Sequence, residues 1–561
     1  MSAAQYYNGQ SGQKGYQEMP NGGGYNNYGQ QQQQGQQYYA PPPQNYPQNG
    51  QQYMPPNNNS VPPVAAMHSS QPYAEPQYAA NMNPDIAGKA NPAQAEGRFK
   101  PNKKLNDPIF LILFLAVFAG MIVVAALAIR QFVKYNGGNG GFGDGSEGGT
   151  GISTSLNYHT VYLLIMAAAL ALVLSAVYLL IVRTFTKALI EITLALSVLL
   201  NIGVCVYYFT QKYWSGAIIF LVISIVSILS YFFMRKRIPL ARIMLQTIID
   251  VSKHHPSVYA VVMISLIVQT AFSVFYSFAA IAVYVTWTPG NPSCATNSCS
   301  SGKVAGLIFY LTFAYIWVSQ VIAAVTLMTL AGGVYGQWYY NGPNAPQLKG
   351  ANSKAFGRAA TTSLGSVAFG SLIVTVLEIL KQLLNVISRQ EAAEGDAISA
   401  IFACIAACCV SCVSSLVQYF NKYAYIEIAL YGKSYIPAAK DAWRLLKHRG
   451  IDALVNDNLI SITLTFGAYI VGLLTALFAY LYLRYTDPAY NRNGEYTAPV
   501  MLFAALIGIN AALALASAIE SGVSTIFVGL GEDPYVLQER SPGLFEEIRQ
   551  NYPQVVQPIG P

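Results

Sequence analysis

Ten stretches of this sequence are too long and too apolar to belong in water. They run approximately over 109–133, 159–182, 188–209, 214–234, 257–286, 304–332, 363–385, 397–420, 457–483 and 498–522. The hydrocarbon core of a bilayer is about 30 Å thick, which about 20 apolar residues of helix cross at about 1.5 Å each. Inside lipid no water satisfies the backbone, so a run of this kind must close its own hydrogen bonds as a helix. Only 10% of the 561 residues are charged, against about 25% in a soluble domain. The expected fold class is all-α: a polytopic membrane protein of about ten transmembrane helices.

The connections set the orientation. Twenty Lys and Arg lie on one side, including Arg183, Lys187, "RKRIPLAR", Lys253, Lys354, Arg358 and the run from Lys422 to Arg449; six lie on the other. Positive charge stays in the cytoplasm, so both termini are expected there; an even number of spans agrees, since it puts both on one side. The 188–209 and 214–234 spans are joined by only "TQKY" and are expected to form a tight hairpin.

The first hundred residues are of another kind. From Met1 to Pro84 there is no Leu, Ile, Phe, Trp or Cys, and Gln, Asn, Gly, Pro and Tyr dominate. So little apolar surface does not offset an ordering cost of roughly 1–2 kcal/mol per residue. The expected organisation is a disordered cytoplasmic tail over 1–104, a transmembrane domain over 105–522 and a C-terminal cytoplasmic tail over 523–561. The N-terminal tail is either an inert solvated arm or an arm that recruits cytoplasmic partners.

Several classes are excluded or discounted. No Walker A or HExxH constellation occurs, so neither an enzyme nor a cofactor is expected. The glycines of "NGGNGGFGDGSEGGTG" lack the strand and helix turn of a nucleotide site. Basic residues are not grouped for nucleic acid. Cys404, Cys408 and Cys412 share one helical face and read as small packing residues rather than metal ligands. Cys294 and Cys299 stand five apart in an outer loop, "NPSCATNSCS", where a disulfide is expected.

Polar residues inside spans are the functional candidates. Ser371, Thr375, Glu378 and Gln382 form one stripe of the seventh span. That stripe faces either a substrate path or a hydrogen-bond network, and Lys381 stands one turn from Glu378. Glu191 lies in the first turn of the third span, where a helix N-terminus favours an anion. Glu520, among Ser517, Ser521 and Ser524, either gates a cytoplasmic exit or reaches the interface. In the sixth span Tyr310, Phe313, Trp317 and Gln320 occupy one face. An aromatic face with an amide suits an organic cation, held by ring quadrupoles at about 2 kcal/mol per desolvated contact; aromatic packing between helices is the alternative.

Four ordered segments resemble a known family. "AYIWVSQVIAAVTLMTLAGGVYGQWYY", "TTSLGSVAFGSLIVTVLEILKQLL", "NKYAYIEIALYGKSYIPAAKDAWRLL" and "TIFVGLGEDPYVLQERSPGLFEEI" are similar to signature regions of the choline transporter-like family. The resemblance covers roughly residues 105–548. The Gln/Tyr-rich head and short first outer loop resemble its fungal, pH-nine-sensitive branch. It implies a plasma-membrane protein of about ten helices that handles a small organic cation, choline-like or a related amine, among membrane lipids. It also implies that Trp317, inside the sixth-helix motif, lines a cavity. The segment from Lys433 to Arg449 looks like an interfacial helix between the eighth and ninth spans. The competing reading is a membrane scaffold or stress-related organiser that recruits partners through the tail and transports little or nothing.

Overall fold

In the computed structural model the chain divides into two units, residues 1–81 and 82–561. The structure describes residues 104–135, 158–289, 299–343, 345–394, 397–486, 488, 491 and 497–556, all in the second unit. The expected disordered tail up to residue 103 and Cys294 lie outside the described residues.

The described residues are helical. In chain order they are α1 (Pro108–Tyr135), α2 (Tyr158–Thr184), α3 (Thr186–Thr210), α4 (Trp214–Arg235), α5 (Ile238–His254), α6 (Ser257–Trp287), α7 (Ser301–Leu330), α8 (Gly336–Asn341), α9 (Ala351–Ala360), α10 (Leu364–Glu394), α11 (Ala397–Tyr431), α12 (Tyr435–Thr486), α13 (Thr497–Glu532), α14 (Pro534–Arg540) and α15 (Pro542–Asn551). Ten spans among them are long and apolar enough to cross a membrane, so the ten-helix membrane fold read from the sequence holds. Large apolar side chains such as Leu199, Leu229, Ile267 and Leu473 are exposed on the outside of the bundle, as a lipid-facing surface requires.

Within the bundle, backbones approach where side chains are small. α12 packs most extensively on α13, and α10 on α11. A Cβ on Gly508 would stand 3.0 Å from the Cα of Gly472, so the α12–α13 crossing depends on both glycines. The expected α3–α4 hairpin is present. Tyr213 N–H donates to the carbonyl of Tyr208 at 3.0 Å, and Lys212 takes the left-handed turn conformation.

Four features differ from the sequence expectation. The basic connection "RKRIPLAR" runs from the last residue of α4 into an amphipathic helix, α5, which buries Leu240, Met244, Leu245 and Ile248 in the main core. Two of the charges here are paired: Asp250 with Arg183, and Arg237, which reaches Asp452 at 3.0 Å. Second, α11 continues eleven residues past the expected end at 420. Third, the segment from Lys433 to Arg449 is not a separate interfacial helix but the first third of the 52-residue α12. Pro437 suggests a break in the sequence, yet it falls in the first turn, where its missing N–H costs no helical bond. Fourth, the last span does not end at the expected residue 522, and the segment after it packs on the bundle. α13 runs on to Glu532, and Val536, Leu537, Phe545 and Ile548 of α14 and α15 are buried in the core.

At its C-terminal end α7 passes through a π-helical turn, Ala331–Tyr335, into α8, with Gly333 off the helical conformation. A Cβ there would stand 3.1 Å from the Cα of Asn352. α9 satisfies the broken backbone: Asn352 Oδ1 accepts the N–H of Val334 at 3.0 Å, and Arg358 donates to the carbonyl of Gly332 at 2.9 Å. The lead-in to α1 is held as firmly. Asn106 Nδ2 donates to the carbonyls of Gly432 and Lys433 at 3.1 Å, and Asp107 Oδ2 accepts from Ser366 at 2.6 Å and from Tyr435 N–H at 2.9 Å. These contacts gather the starts of α1, α10 and α12 and the end of α11 at the Lys/Arg-rich end of the bundle.

Candidate functional site

Three helices meet around a charged cavity at that end. α11 contributes Tyr419 and Lys422, α12 contributes Leu454, Asp457, Asn458, Ile460 and Ser461, and α13 contributes Glu520 and Val523. The polar positions recur at helical spacing, so each helix turns one face inward. The cavity measures about 350 Å³, within the range of small-molecule sites, roughly 300–1,000 Å³.

Its charges are few and closely partnered. Lys422 Nζ lies 3.2 Å from Asp457 Oδ2. The same carboxylate accepts Tyr423 Oη at 3.0 Å and Ser524 Oγ at 3.2 Å. Tyr419 Oη donates in turn to Tyr423 Oη at 3.3 Å. Glu520 accepts a hydrogen bond from Ser461. With both carboxylates ionised, Asp457 and Glu520 against Lys422 leave one net negative charge in a partly enclosed space, where Coulomb interactions are several-fold stronger than in water.

The other sequence candidates lie elsewhere. Trp317 is 1% exposed. Its indole N–H donates to the carbonyl of Ala368 at 3.0 Å. Its ring meets Phe114 edge-on at 5.5 Å and Phe313 at 5.8 Å. Tyr310 Oη donates to the carbonyl of Val117 at 2.8 Å, and Gln320 is half-buried on the same helix. None of these four lines the charged cavity or the small one beside Arg358. The polar stripe of α10 faces α11: Ser371 pairs with Tyr425 Oη at 3.1 Å, and Thr375 Oγ1 bonds back to the carbonyl of Ser371 at 2.8 Å. Glu378 sits 2.5 Å from Lys381 and accepts from Ser414 at 2.7 Å and Gln418 at 3.3 Å. Cys299 is disulfide-bonded. Of the predicted site residues, Glu520 alone lines the charged cavity.

The small residues of α10 link the aromatic group to the cavity. Asn421 Nδ2 donates to the carbonyl of Gly370 at 2.9 Å, two residues from the carbonyl that holds Trp317. Asn421 is the neighbour of Lys422. Displacing this stretch of α10 therefore moves partners of both.

A second polar group lies between the ends of α11, α12 and α13. Glu427, fully buried, pairs with Lys433 at 3.0 Å, and Lys433 reaches Asp441 at 2.5 Å. Arg444 bridges Asp441 at 3.2 Å and Glu532 at 3.4 Å. Burial pulls the Lys433 ammonium down, but Glu427, Asp441 and Glu532 outweigh it and hold its pKa above the ordinary lysine value.

Sequence reasoning missed Asp457, Lys422 and Glu427. Asp457 is the first residue of an expected span, Lys422 counts among the loop cations, and Glu427 lies between two expected spans. Their signal is the spacing Tyr419–Lys422 and Asp457–Ser461 within otherwise apolar sequence.

Residues 218–535 match the family described as "Plasma-membrane choline transporter". That segment is more than half of the chain. The chain belongs to the choline transporter-like family. Among curated members of the family, "Protein PNS1" of Cryptococcus neoformans is 57% identical over 512 residues, 89% of this chain and 92% of its own length. "Protein PNS1" of Mycosarcoma maydis is 44% identical, covering 88% and 92%. "Protein PNS1" of Candida albicans is 38% identical, covering 84% and 91%. The family match spans α4 to α14 and so includes every lining residue of the charged cavity.

Proposed function

We propose that this protein carries a small organic cation, choline-like or ethanolamine-like, across the plasma membrane, facilitatively or linked to protons, with both termini in the cytoplasm. One observation carries the reading: two carboxylates, one ammonium and a tyrosine, drawn from three helices, surround a cavity of about 350 Å³. Family membership supports transport. The Lys/Arg asymmetry of the connections supports the orientation.

In this reading Asp457 and Glu520 attract the cation, the Tyr419 ring offers it a π face, and Asn458 and Ser461 take its hydroxyl. Phe313 and Trp317 form, with Phe114, an aromatic group that is closed in this conformation, and Tyr310 on the same helix is tied to Val117. A cage at Trp317 requires the contacts with Phe114 and Phe313 to part, with Gln320 turning toward the guest. Ser371, Thr375 and Glu378 hold α10 to α11 while that happens.

Uptake of labelled choline into proteoliposomes tests the assignment. Asp457→Asn and Glu520→Gln each cancel the net negative charge and are expected to lower the initial rate at least about tenfold. Both variants matching the wild type, or a wild type without saturable uptake of choline or ethanolamine, would refute it.

A further inference from the structure

We infer that Lys422 sets the valence of the cation that the cavity accepts. The inference rests on the reading of this cavity as the cation site and adds the rule by which it selects.

Three titratable charges line the cavity, one from each helix: Lys422 on α11, Asp457 on α12 and Glu520 on α13. The remaining lining residues are Tyr419, Asn458 and Ser461, which are uncharged, and apolar side chains. Lys422 lies 3.2 Å from Asp457, and its side chain is only 25% exposed. Asp457 is further committed to Tyr423 and Ser524. Glu520 accepts a hydrogen bond from Ser461, a neutral donor, and lies within electrostatic reach of both Lys422 and Asp457. The two carboxylates therefore share one ammonium from within the protein, and one negative charge remains for a guest. Lys422 is itself an alkylammonium and fills the place that a second positive charge of a guest would take. A guest with one positive charge balances the cavity. A guest with two would bring its second charge against the Lys422 ammonium.

The alternative is that Lys422 only holds α11 to α12, with no bearing on selection. Net charge separates the two roles. With all three groups ionised, the wild-type cavity carries −1. Lys422→Gln carries −2 and is expected to favour dications. Asp457→Asn and Glu520→Gln carry zero. The double variants Lys422→Gln/Glu520→Gln and Lys422→Gln/Asp457→Asn return to −1, each with a single carboxylate. Both are expected to recover uptake of a monovalent cation that the Asp457→Asn and Glu520→Gln single variants lose. A purely structural lysine would give no such recovery, since each double variant lacks the tether as well as a carboxylate.

The measurement is competition against labelled choline in proteoliposomes by two amines of equal length, 1-aminobutane and 1,4-diaminobutane. The monoamine is expected to compete better against the wild type. In Lys422→Gln the ratio is expected to shift toward the diamine by at least about tenfold. Lys422→Arg, which keeps the charge, is expected to keep the wild-type ratio. Should Lys422→Gln not fold, as judged by gel filtration in detergent, the Lys422→Gln/Asp457→Asn variant carries the test, because no carboxylate is then left without its lysine. Rescue by either double variant supports the inference. A wild type that takes up choline, with an unchanged ratio in Lys422→Gln and no rescue in the doubles, overturns the valence rule alone. A wild type with no saturable uptake overturns the cation-site reading and this inference with it.

Discussion

The indole N–H of Trp317 donates to the carbonyl oxygen of Ala368 at 3.0 Å, joining the middle of α7 to the first turns of α10. A tryptophan deep in a membrane helix needs such a partner, because lipid offers none. Here it is a backbone carbonyl that remains accessible because Gly365, Ser366 and Gly370 leave α10 with so little side-chain bulk.

Trp317→Phe is therefore expected to cost only the hydrogen bond, roughly 0.6–1.7 kcal/mol for an interhelical bond in a membrane protein. Ala368 keeps its own helical partner, so no carbonyl is stranded. Trp317→Ala also removes the ring packed on Phe114 and Phe313 and is expected to cost more, about 3–5 kcal/mol. Unfolding midpoints in detergent rank the two. Equal midpoints for both variants would mean that the ring contributes little to packing.

Glu378 separates a structural carboxylate from a site carboxylate. It lies outside the charged cavity and is held by Lys381, Ser414 and Gln418. The ion pair is partly exposed, and such pairs contribute about 0.2–1 kcal/mol. Glu378→Gln can keep both neutral hydrogen bonds. It is expected to lower stability by no more than that amount and to leave choline uptake within about twofold of the wild type, well short of the loss at Glu520→Gln. A tenfold loss of uptake in Glu378→Gln would move the site onto α10.

How far the sequence reveals this molecule depends on the length scale of the signal. The spans were legible because a bilayer imposes a length and a composition on each of them. The hairpin followed from a connection too short for anything else. What the sequence obscured lies at the ends of helices. Lys422 looks like a loop charge and Asp457 like the edge of a span when each is taken alone, since only their meeting across α11 and α12 lets each enter the bundle. Glu427 is hidden for the same reason: its partner, Lys433, stands on the far side of a turn. α5 is obscured because the basic run Arg235–Lys236–Arg237, with Arg242 beyond it, outweighs the apolar face of Leu240, Met244 and Ile248. Glu520 was recognised because it sits well inside an apolar span. Trp317 carries an N–H deep in an apolar span, but periodicity cannot distinguish a carbonyl partner from a cavity.

The buried group around Lys433 predicts how stability responds to alkali. Lys433 is paired with Glu427, which is completely buried, and with Asp441. Its burial alone would depress the lysine, yet the carboxylates prevail and its folded-state pKa lies above the ordinary value of 10.5. A base whose pKa is raised by folding contributes stability that is complete below the unfolded value and is lost as pH rises through the folded one. The wild type is therefore expected to keep this contribution at neutral pH and to lose it as pH climbs past 10.5. Lys433→Arg keeps a charge that does not titrate in this range, so its unfolding midpoint is expected to fall less than that of the wild type between about pH 9 and 12. Lys433→Met strands the Glu427 carboxylate and is expected to cost about 3–5 kcal/mol, much of which Glu427→Gln in the same chain restores. Midpoints of the four proteins across that range check both statements. Parallel pH profiles for the wild type and Lys433→Arg would show that Lys433 is not the group responsible.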